Sequence, residues 1–508
     1  MMMLFSLLML VFQMTLQIVF SVVSLLCKVI YGLAVLLVNA YRDRPQPMRN
    51  QILVPGDRSP RLPPRGDVHD YRGLAAPSEL SPLKQGGVSL GRYQSPGGLP
   101  QGSLYLPTRL LHQHAAVIGP TGSGKTAGIM EPWAVDLLRG GHSVVMVDVK
   151  GDLMRGLGQR ALNQGYKVLY WDIARPTQSL AWNWLDGIED YRDVEAAVAS
   201  IMGRENTNDP HLFFTKRDRR WLRALIHVVK AVYAEQAKPR DLYHLVANPD
   251  KLKDLLYRYS DLTNYKDDLR DLLDFSPDEQ SRAVSGLLNE LHLFTVPPIE
   301  QVTGHSDFCL ADLDAQPTLL LIGASLADAK AAETFSGLML SQLFNHVYRR
   351  FEDGDTSNRR SLYFLIDEAA RLKTRIDYEQ ALSVTRAAEV GICLALQDVA
   401  QLGDDRATSA VLANCHTLIT LRGVSAATAR YTASRLGQRV VQTVDLSHHR
   451  GPMEPIGSRG KSIGTKTVPV LEDREIMHPP VQSYCALVHV PSVSPKPFFV
   501  NLAQLDLP

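Results

Sequence analysis

The chain has 508 residues, a formal net charge of +1 and 45% apolar residues, enough for two or three domains with a large buried core. The near-neutral charge excludes an overall attraction to nucleic acid, so any polyanion site must be a local patch. The five cysteines are scattered without a CxxC pair, which argues against a zinc site or a disulfide framework and fits a reducing cytoplasm.

The N-terminal segment carries no charged residue before Lys28. It lacks the positive start, short apolar core and small-residue cleavage site of a secretory signal peptide, which favours a retained membrane anchor over residues 1–41. Because residues 1–31 contain no Gly or Pro, we expect one transmembrane helix over about residues 4–27 rather than two. Basic residues follow it, so the positive-inside rule places the bulk of a single-pass protein in the cytoplasm. A buried core helix is the alternative.

Residues 42–100 are rich in Pro, Gly and Arg, as in PGDRSPRLPPRGD. A segment of this composition is semi-extended and has few residues that could form a core, which predicts a juxtamembrane linker.

After the linker, short apolar runs alternate with helical stretches. Candidate strands are HAAVI, SVVMVD, KVLYW, PTLLLI, LYFLID, GICLAL, HTLITL and CALVHV. Near-continuous apolar runs separated by helices indicate an α/β fold with a parallel-rich sheet covered on both faces. Residues 187–307 show helical patterns and no convincing strand, which predicts an all-α domain inserted between two parts of one α/β domain, residues 101–186 and 308–508.

Residues 119–126, GPTGSGKT, match the phosphate-binding pattern GxxxxGK[ST] directly after the strand HAAVI. Glycines let the backbone turn its N–H groups toward phosphate oxygens, and the following helix presents its positive end to them. We expect Lys125 to reach the β- and γ-phosphates and the Thr126 hydroxyl to bind Mg2+. The predicted nucleotide-binding residues are Gly119, Pro120, Thr121, Gly122, Ser123, Gly124, Lys125 and Thr126.

A basic cluster lies on one predicted helix of the insertion, formed by Lys216, Arg217, Arg219, Arg220 and Arg223. Such a face either contacts nucleic-acid phosphates without sequence preference or is an ordinary solvated helix surface. The stretch TKRD at residues 215–218 is superficially similar to the base-specificity motif of GTPases. We discount it because it follows no predicted strand, and therefore favour ATP over GTP.

The strand LYFLID ends in Asp367, and Glu368 follows it. An acid at the carboxyl edge of a strand can hold the metal ion, and the next acid can polarise the attacking water. Paired with the phosphate loop, these carboxylates predict an ATPase in which Thr126 and Asp367 are the metal-binding residues.

Gln397 follows the strand GICLAL, at a position that lies beside the phosphates in a sheet of this kind. Its amide is suited to sense the γ-phosphate. Arg386 precedes it by eleven positions and is either an arginine finger for a neighbouring subunit or an ordinary exposed arginine. The predicted catalytic residues are thus Lys125, Asp367, Glu368, Gln397 and Arg386.

The polar stretch at residues 445–466 adds the basic residues Arg450, Arg459 and Lys461. It either projects into the pore of a ring or is a disordered hairpin tip.

Several longer stretches carry a family resemblance: DVKGDLM, YKVLYWDIARPTQSLAWNWLD, LYFLIDEAARL, QDVAQL and VPVLEDREIMHPP. In this order they resemble the type IV secretion coupling proteins, the TraG/TraD-type conjugative DNA-transfer ATPases, over roughly residues 90–500. The resemblance implies a RecA-like motor of the inner (plasma) membrane that forms a homo-hexamer. It also implies that ATP and Mg2+ drive single-stranded DNA with its relaxase, or a secreted protein, into a type IV secretion channel.

The chain departs from that family pattern in three places. It shows one membrane helix where two are frequent, and Asn183-Trp184 where Asn-Pro is usual. The strand before Gln397 is about two residues shorter than expected. Two alternative functions stay open: a double-strand DNA pump of the FtsK/HerA type, and a membrane docking module for secretion substrates that uses nucleotide to regulate assembly.

Overall fold

The computed structural model describes residues 73–205, 210–324, 329–352, 360–449, 458–481 and 484–502, with five isolated positions before residue 31. The predicted anchor at residues 4–27 lies outside the continuous described ranges. Within the described part of the chain, no helix combines the length and the apolar character needed to cross a membrane.

Thirteen strands are described: β1 (Val88–Tyr93), β2 (Ser103–Leu106), β3 (Ala115–Ile118), β4 (Ser143–Asp148), β5 (Lys167–Asp172), β6 (Thr318–Gly323), β7 (Leu362–Ile366), β8 (Gly391–Leu396), β9 (Thr417–Leu421), β10 (Gln438–His449), β11 (Ser458–Pro469), β12 (Cys485–His489) and β13 (Phe498–Asn501). Eleven of them form one sheet in the order β2-β1-β13-β12-β9-β3-β8-β7-β4-β6-β5. β10 and β11 form a separate hairpin.

The described helices are α1 (Thr108–Leu111), α2 (Glu131–Arg139), α3 (Gln159–Asn163), α4 (Tyr191–Met202), α5 (Leu212–Tyr233), α6 (Pro239–Val246), α7 (Pro249–Arg258), α8 (Thr263–Asp274), α9 (Pro277–Leu291), α10 (Pro297–Thr303), α11 (Asp312–Ala315), α12 (Ala329–Glu352), α13 (Tyr378–Thr385), α14 (Asp405–Ala413), α15 (Ala426–Leu436) and α16 (Asp473–Met477). A π-helical turn, Thr126–Met130, joins the phosphate loop to α2.

The seven strands from β9 to β5 run parallel, which confirms the predicted α/β class with a parallel-rich sheet. All eight predicted strands are present. β12 differs from the others because it runs antiparallel to β9 and to β13. The connection from β12 to β13 spans only residues 490–497, too few for the crossover that parallel neighbours need.

Part of the stretch with linker composition is strand, because Val88–Tyr93 forms β1 of the sheet. β1 pairs antiparallel with β2 and β13, and Val88 is fully buried. The Trp133 indole on α2 donates to the Ser89 carbonyl at 2.7 Å, and the Ser89 N–H donates to the Asp136 carboxylate at 2.9 Å. β1 therefore braces the helix that follows the phosphate loop, although Gly and Pro around it mask the strand pattern.

The interval between β5 and β6 contains helices and no strand over its described residues, 173–205 and 210–317. Its interior is continuous with that of the sheet, since one hydrophobic cluster includes Trp171 of β5, Trp221 of α5 and Phe335 of α12. Phe335 contacts the Trp171 ring at 5.9 Å and the Phe294 ring at 5.5 Å between centroids. Helices and sheet thus share one core in this region.

β10 and β11 belong to a second compact unit, Gln438–Pro469 in its described part. They pair from Gln438 with Pro469 to His449 with Ser458. The polar stretch at 445–466 therefore consists mostly of strand, and its central residues, 450–457, lie outside the described ranges.

Leu83 and Leu99 test whether residues 73–100 are part of the folded body. Leu83 is fully buried and Leu99 is 73% exposed, although both fall in the stretch with linker composition. We expect Leu83→Ala to lower the free energy of unfolding by about 2–5 kcal/mol and Leu99→Ala to change it by less than about 0.5 kcal/mol. Urea-induced unfolding measures both, and equal small effects would contradict the described packing.

Candidate nucleotide site

Three adjacent parallel strands bring the predicted residues to one edge of the sheet. β3 leads into the phosphate loop, β7 leads into Asp367 and Glu368, and β8 leads into Gln397. Ile118 is in register with Leu396, and Ile366 with Leu394. The carboxyl ends of these strands therefore place the loop, the carboxylates and the amide side by side.

The phosphate loop depends on glycine at three positions. Gly122 and Gly124 have φ values of 77° and 95°, in the left-handed region that glycine adopts without strain. A Cβ at Gly119 would lie 2.6 Å from Leu421 Cδ1 and 2.6 Å from Ser123 Oγ, so a side chain does not fit there. The Gly119 N–H donates to the Leu396 carbonyl at 3.0 Å, which ties the loop to the end of β8.

Lys125 lies within the curve of its own loop. Its Nζ donates to the carbonyl oxygens of Gly119 at 2.7 Å and Pro120 at 3.2 Å, and the residue is only 6% exposed. Burial lowers the pKa of Lys125, while the carboxylates of Glu368 and Asp367 act in the opposite direction. The ammonium thus interacts electrostatically with both predicted catalytic acids.

A direct hydrogen bond joins the two predicted metal-binding residues. The Thr126 hydroxyl donates to Asp367 Oδ2 at 2.8 Å, and Asp367 Oδ1 accepts the Glu368 N–H at 3.0 Å. Asp367 is 5% exposed. Hydroxyl and carboxylate oxygens are ligands that Mg2+ prefers, so this pair fits a magnesium ion next to bound phosphate.

Glu368 and Gln397 form the second contact of the site. The Gln397 Nε2 lies 2.9 Å from both carboxylate oxygens of Glu368. Glu368 has a left-handed backbone, with φ of 49°, which costs a non-glycine residue about 1–2 kcal/mol. Strained residues of this kind cluster at active sites. Gln401 fixes the base of Gln397, since its Oε1 accepts the Gln397 N–H at 3.1 Å.

Arg386 is the one predicted catalytic residue that the structure does not bring to this edge within the chain. It is exposed at the end of α13, before β8 begins. Burial lowers the pKa of His114 to about 4, and the charge of Arg386 acts in the same direction. His114 precedes β3 and accepts the Ile392 N–H at 3.1 Å. The length of β8, about 20 Å, therefore separates Arg386 from Gln397.

The family-like stretch after β4 forms a braced turn beside the site. The Asp148 carboxylate accepts the N–H groups of Gly151 at 2.7 Å and Leu153 at 3.0 Å, and burial raises its pKa to about 6. Arg175 donates to the Gly151 carbonyl and to the Tyr170 hydroxyl. Two of the stretches that carry the family resemblance, DVKGDLM and the one that contains Arg175, are thus joined by hydrogen bonds.

Two residues near the loop were missed from the sequence because no motif marks them. Leu502, after β13, lies 3.1 Å from the position that a Cβ on Gly128 would occupy. Tyr484, before β12, lies 3.7 Å from the corresponding position on Gly124. Both therefore lie against the loop or the π-helical turn that follows it, and only the sheet topology reveals this proximity.

The basic cluster on α5 is mostly neutralised by acidic neighbours. Arg219 is 6% exposed and donates to the Gly203 carbonyl. The other four form the ion pairs Lys216–Glu205, Arg217–Asp218, Arg220–Asp271 and Arg223–Glu195. Of the two interpretations of this face, the pairing favours an ion-paired helix surface over an open phosphate-binding one.

A parallel-rich sheet with a phosphate loop, a strand-end aspartate and a strand-end glutamine at one edge defines a RecA-like P-loop protein. Residues 81–490 match the protein family described as Type IV secretory system Conjugative DNA transfer. The chain belongs to this family, that of the type IV secretion coupling proteins, as its sequence stretches predicted.

Solved structures show the same fold. The bacterial conjugative coupling protein TrwBdeltaN70, unbound, has a TM-score of 0.60 and 17% identity over 85% of this chain and 92% of that chain. TrwB with ADP and Mg2+ has a TM-score of 0.59 and 18% identity, over 85% and 93% of the two chains. TrwB with the ATP analogue ADPNP has a TM-score of 0.58 and 19% identity, over 85% of this chain and 94% of that chain. No curated protein is significantly similar in sequence.

The Thr126–Asp367 hydrogen bond can be tested without nucleotide. Thr126→Val leaves the buried Asp367 carboxylate short of one donor and should lower the free energy of unfolding by about 1–3 kcal/mol, whereas Thr126→Ser retains the bond. Thr121, exposed in the same loop, provides the control, since Thr121→Val should cost less than about 0.5 kcal/mol. The measurement is urea-induced unfolding. Equal free energies of unfolding for Thr126→Val and Thr121→Val would contradict the hydrogen bond.

Proposed function

We propose that the chain is an ATPase that drives DNA, or a secreted protein, into a type IV secretion channel. The observation that carries the proposal is the hydrogen bond between Thr126 and Asp367, because it joins the phosphate loop to the strand-end acid. Membership of the conjugative DNA-transfer family supports the cargo.

The polar groups of the loop are suited to bind the phosphates of a nucleoside triphosphate. Among the described residues, the Ser123 hydroxyl is buried without a hydrogen-bond partner, and it lies inside the glycine turn that would face the phosphates. Lys125 supplies a buried positive charge at the same place. TrwB has been solved with ADP and Mg2+ and with ADPNP, which supports the same ligands for this chain.

Each residue of the edge has a distinct task in this proposal. The Lys125 ammonium would leave its loop carbonyls to neutralise phosphate oxygens, and the Thr126 and Asp367 oxygens would hold Mg2+. Mg2+ would neutralise the charge that develops between the phosphates. Glu368 accepts the proton of the attacking water, and the Gln397 amide holds the Glu368 carboxylate in position until then.

We also propose that the chain forms a homo-hexamer at the inner membrane. A homo-hexamer would bring the exposed Arg386 of one subunit toward the site of the next, where it would act as an arginine finger. Residues 4–27 would anchor each subunit in the inner membrane, with the bulk of the chain in the cytoplasm. Single-stranded DNA with its relaxase is the proposed substrate, and the type IV channel is the proposed partner.

The catalytic assignments predict different losses for two substitutions. Glu368→Gln removes the proton acceptor and should lower Mg2+-dependent ATP hydrolysis by about 100- to 10,000-fold while ATP still binds. Lys125→Ala should abolish hydrolysis because the phosphates lose their charge partner. Phosphate release and equilibrium ATP binding are the measurements.

Exposed residues of the same types serve as controls for these substitutions. Glu379→Gln and Lys253→Ala should hydrolyse ATP at the wild-type rate. A Glu368→Gln variant with normal turnover would contradict the assigned base. A wild-type chain that hydrolyses no ATP under conditions that allow assembly would contradict the motor.

The cargo assignment predicts that single-stranded DNA raises the rate of ATP hydrolysis and that a labelled strand moves during it. The stimulation should fall as salt rises, because phosphate contacts release counterions. Hydrolysis that responds only to duplex DNA would instead support the double-strand pump. A strand that binds without moving would support the docking module.

A further inference from the structure

We propose that Tyr484 is the platform on which the base of the bound nucleotide stacks. This inference rests on the proposed function, because it extends the phosphate site to the other end of the same ligand. It assigns a role to a residue that belongs to none of the phosphate-binding or metal-binding groups described above.

Tyr484 lies directly against the phosphate loop. A Cβ on Gly124 would stand 3.7 Å from Tyr484 Cδ1 and 3.9 Å from Tyr484 Cε1, so the edge of the ring faces the loop backbone. The residue is nevertheless 53% exposed. An aromatic ring that touches the loop and still offers much of its surface to solvent is suited to receive a planar ligand.

The sheet order places Tyr484 and Asp367 on opposite sides of β3, so that Tyr484 lies on the side toward which the base of a bound nucleotide would extend. Asp367 follows β7, which lies beyond β8 on one side of β3. Tyr484 precedes β12, which lies beyond β9 on the other side of β3. If the γ-phosphate points to Asp367 and Glu368, the ribose and base extend from the opposite end of the phosphate chain, toward Tyr484.

Tyr484 is also at the correct edge of the sheet. β12 runs antiparallel to β9, and Ala486 is in register with Leu421. The start of β12 therefore lies at the carboxyl end of β9. At that end the Leu421 side chain contacts Gly119, the first residue of the loop.

The backbone holds Tyr484 in an unfavourable conformation. Its φ is 60°, in the left-handed region, where a non-glycine residue costs about 1–2 kcal/mol. The Leu502 N–H donates to the Tyr484 carbonyl at 2.8 Å, and Leu502 packs on Gly128. The Tyr484 backbone is thus tied to a residue that itself packs against the turn after the loop.

Stacking uses the face of the base and is tolerant of base identity. A platform of this kind accepts either purine, so ATP and GTP should both depend on Tyr484. Inorganic tripolyphosphate has no base, so its binding should not depend on the ring.

Calorimetric titration of the full chain with ATP, GTP and tripolyphosphate in Mg2+ tests the platform. We expect Tyr484→Ala to weaken ATP and GTP binding by about tenfold each and to leave tripolyphosphate binding within about twofold of wild type. Tyr484→Phe should bind all three ligands like wild type. Tyr191→Ala, at a tyrosine that is 73% exposed, is the matched control and should have no effect.

Tyr484→Gly separates binding from folding, because glycine adopts the left-handed backbone without strain. Its unfolding temperature should not fall, while its ATP affinity falls as in Tyr484→Ala. Unchanged ATP affinity in both variants would overturn the platform and leave the proposed function intact. Equal losses for ATP and tripolyphosphate would also overturn it, since Tyr484 would then only support the loop. A wild-type chain that binds neither ligand would overturn the proposed function itself.

Discussion

The hydrogen bond from Thr126 to Asp367 is the constraint on which the site depends. It joins the helix that begins after the phosphate loop to the end of a strand that is two positions away in the sheet. The bond can form only if β3, β8 and β7 are parallel and in register, because only then do their carboxyl ends meet. The same register brings Gln397 against Glu368. The parallel sheet is therefore what makes the separated motifs into one site.

The site is connected to the helical interval by packing. The segment after Glu368 reaches Arg375, which donates to the Ile201 carbonyl at the end of α4. Arg204, just beyond α4, pairs with Asp377 before α13. α4 and α12 also lie in the hydrophobic cluster that includes the sheet. The segment that follows Glu368 is thus in direct contact with the helices of the interval.

Much of the core could be predicted from sequence because its signals are local. Apolar runs such as SVVMVD and GICLAL identify buried strands, and GPTGSGKT encodes a turn that only glycines allow. β1 was missed because its pairing partners, β2 and β13, are set by topology, and Gly and Pro dominate its surroundings. The ion pairs that neutralise the basic residues of α5 were not predicted because their acidic partners, such as Asp271 and Glu195, are distant in sequence. The proximity of Tyr484 to Gly124 likewise depends on strand order.

The most direct test of the account is the binding of Mn2+, used in place of Mg2+, measured by electron paramagnetic resonance with and without ADP. If Thr126 and Asp367 form one metal site completed by phosphate, one Mn2+ per chain should bind with ADP. Asp367→Asn should weaken that binding by about 10- to 100-fold, as loss of a charged ligand or its support does in metal sites. Mn2+ binding that is independent of ADP, or unaffected by Asp367→Asn, would contradict the account.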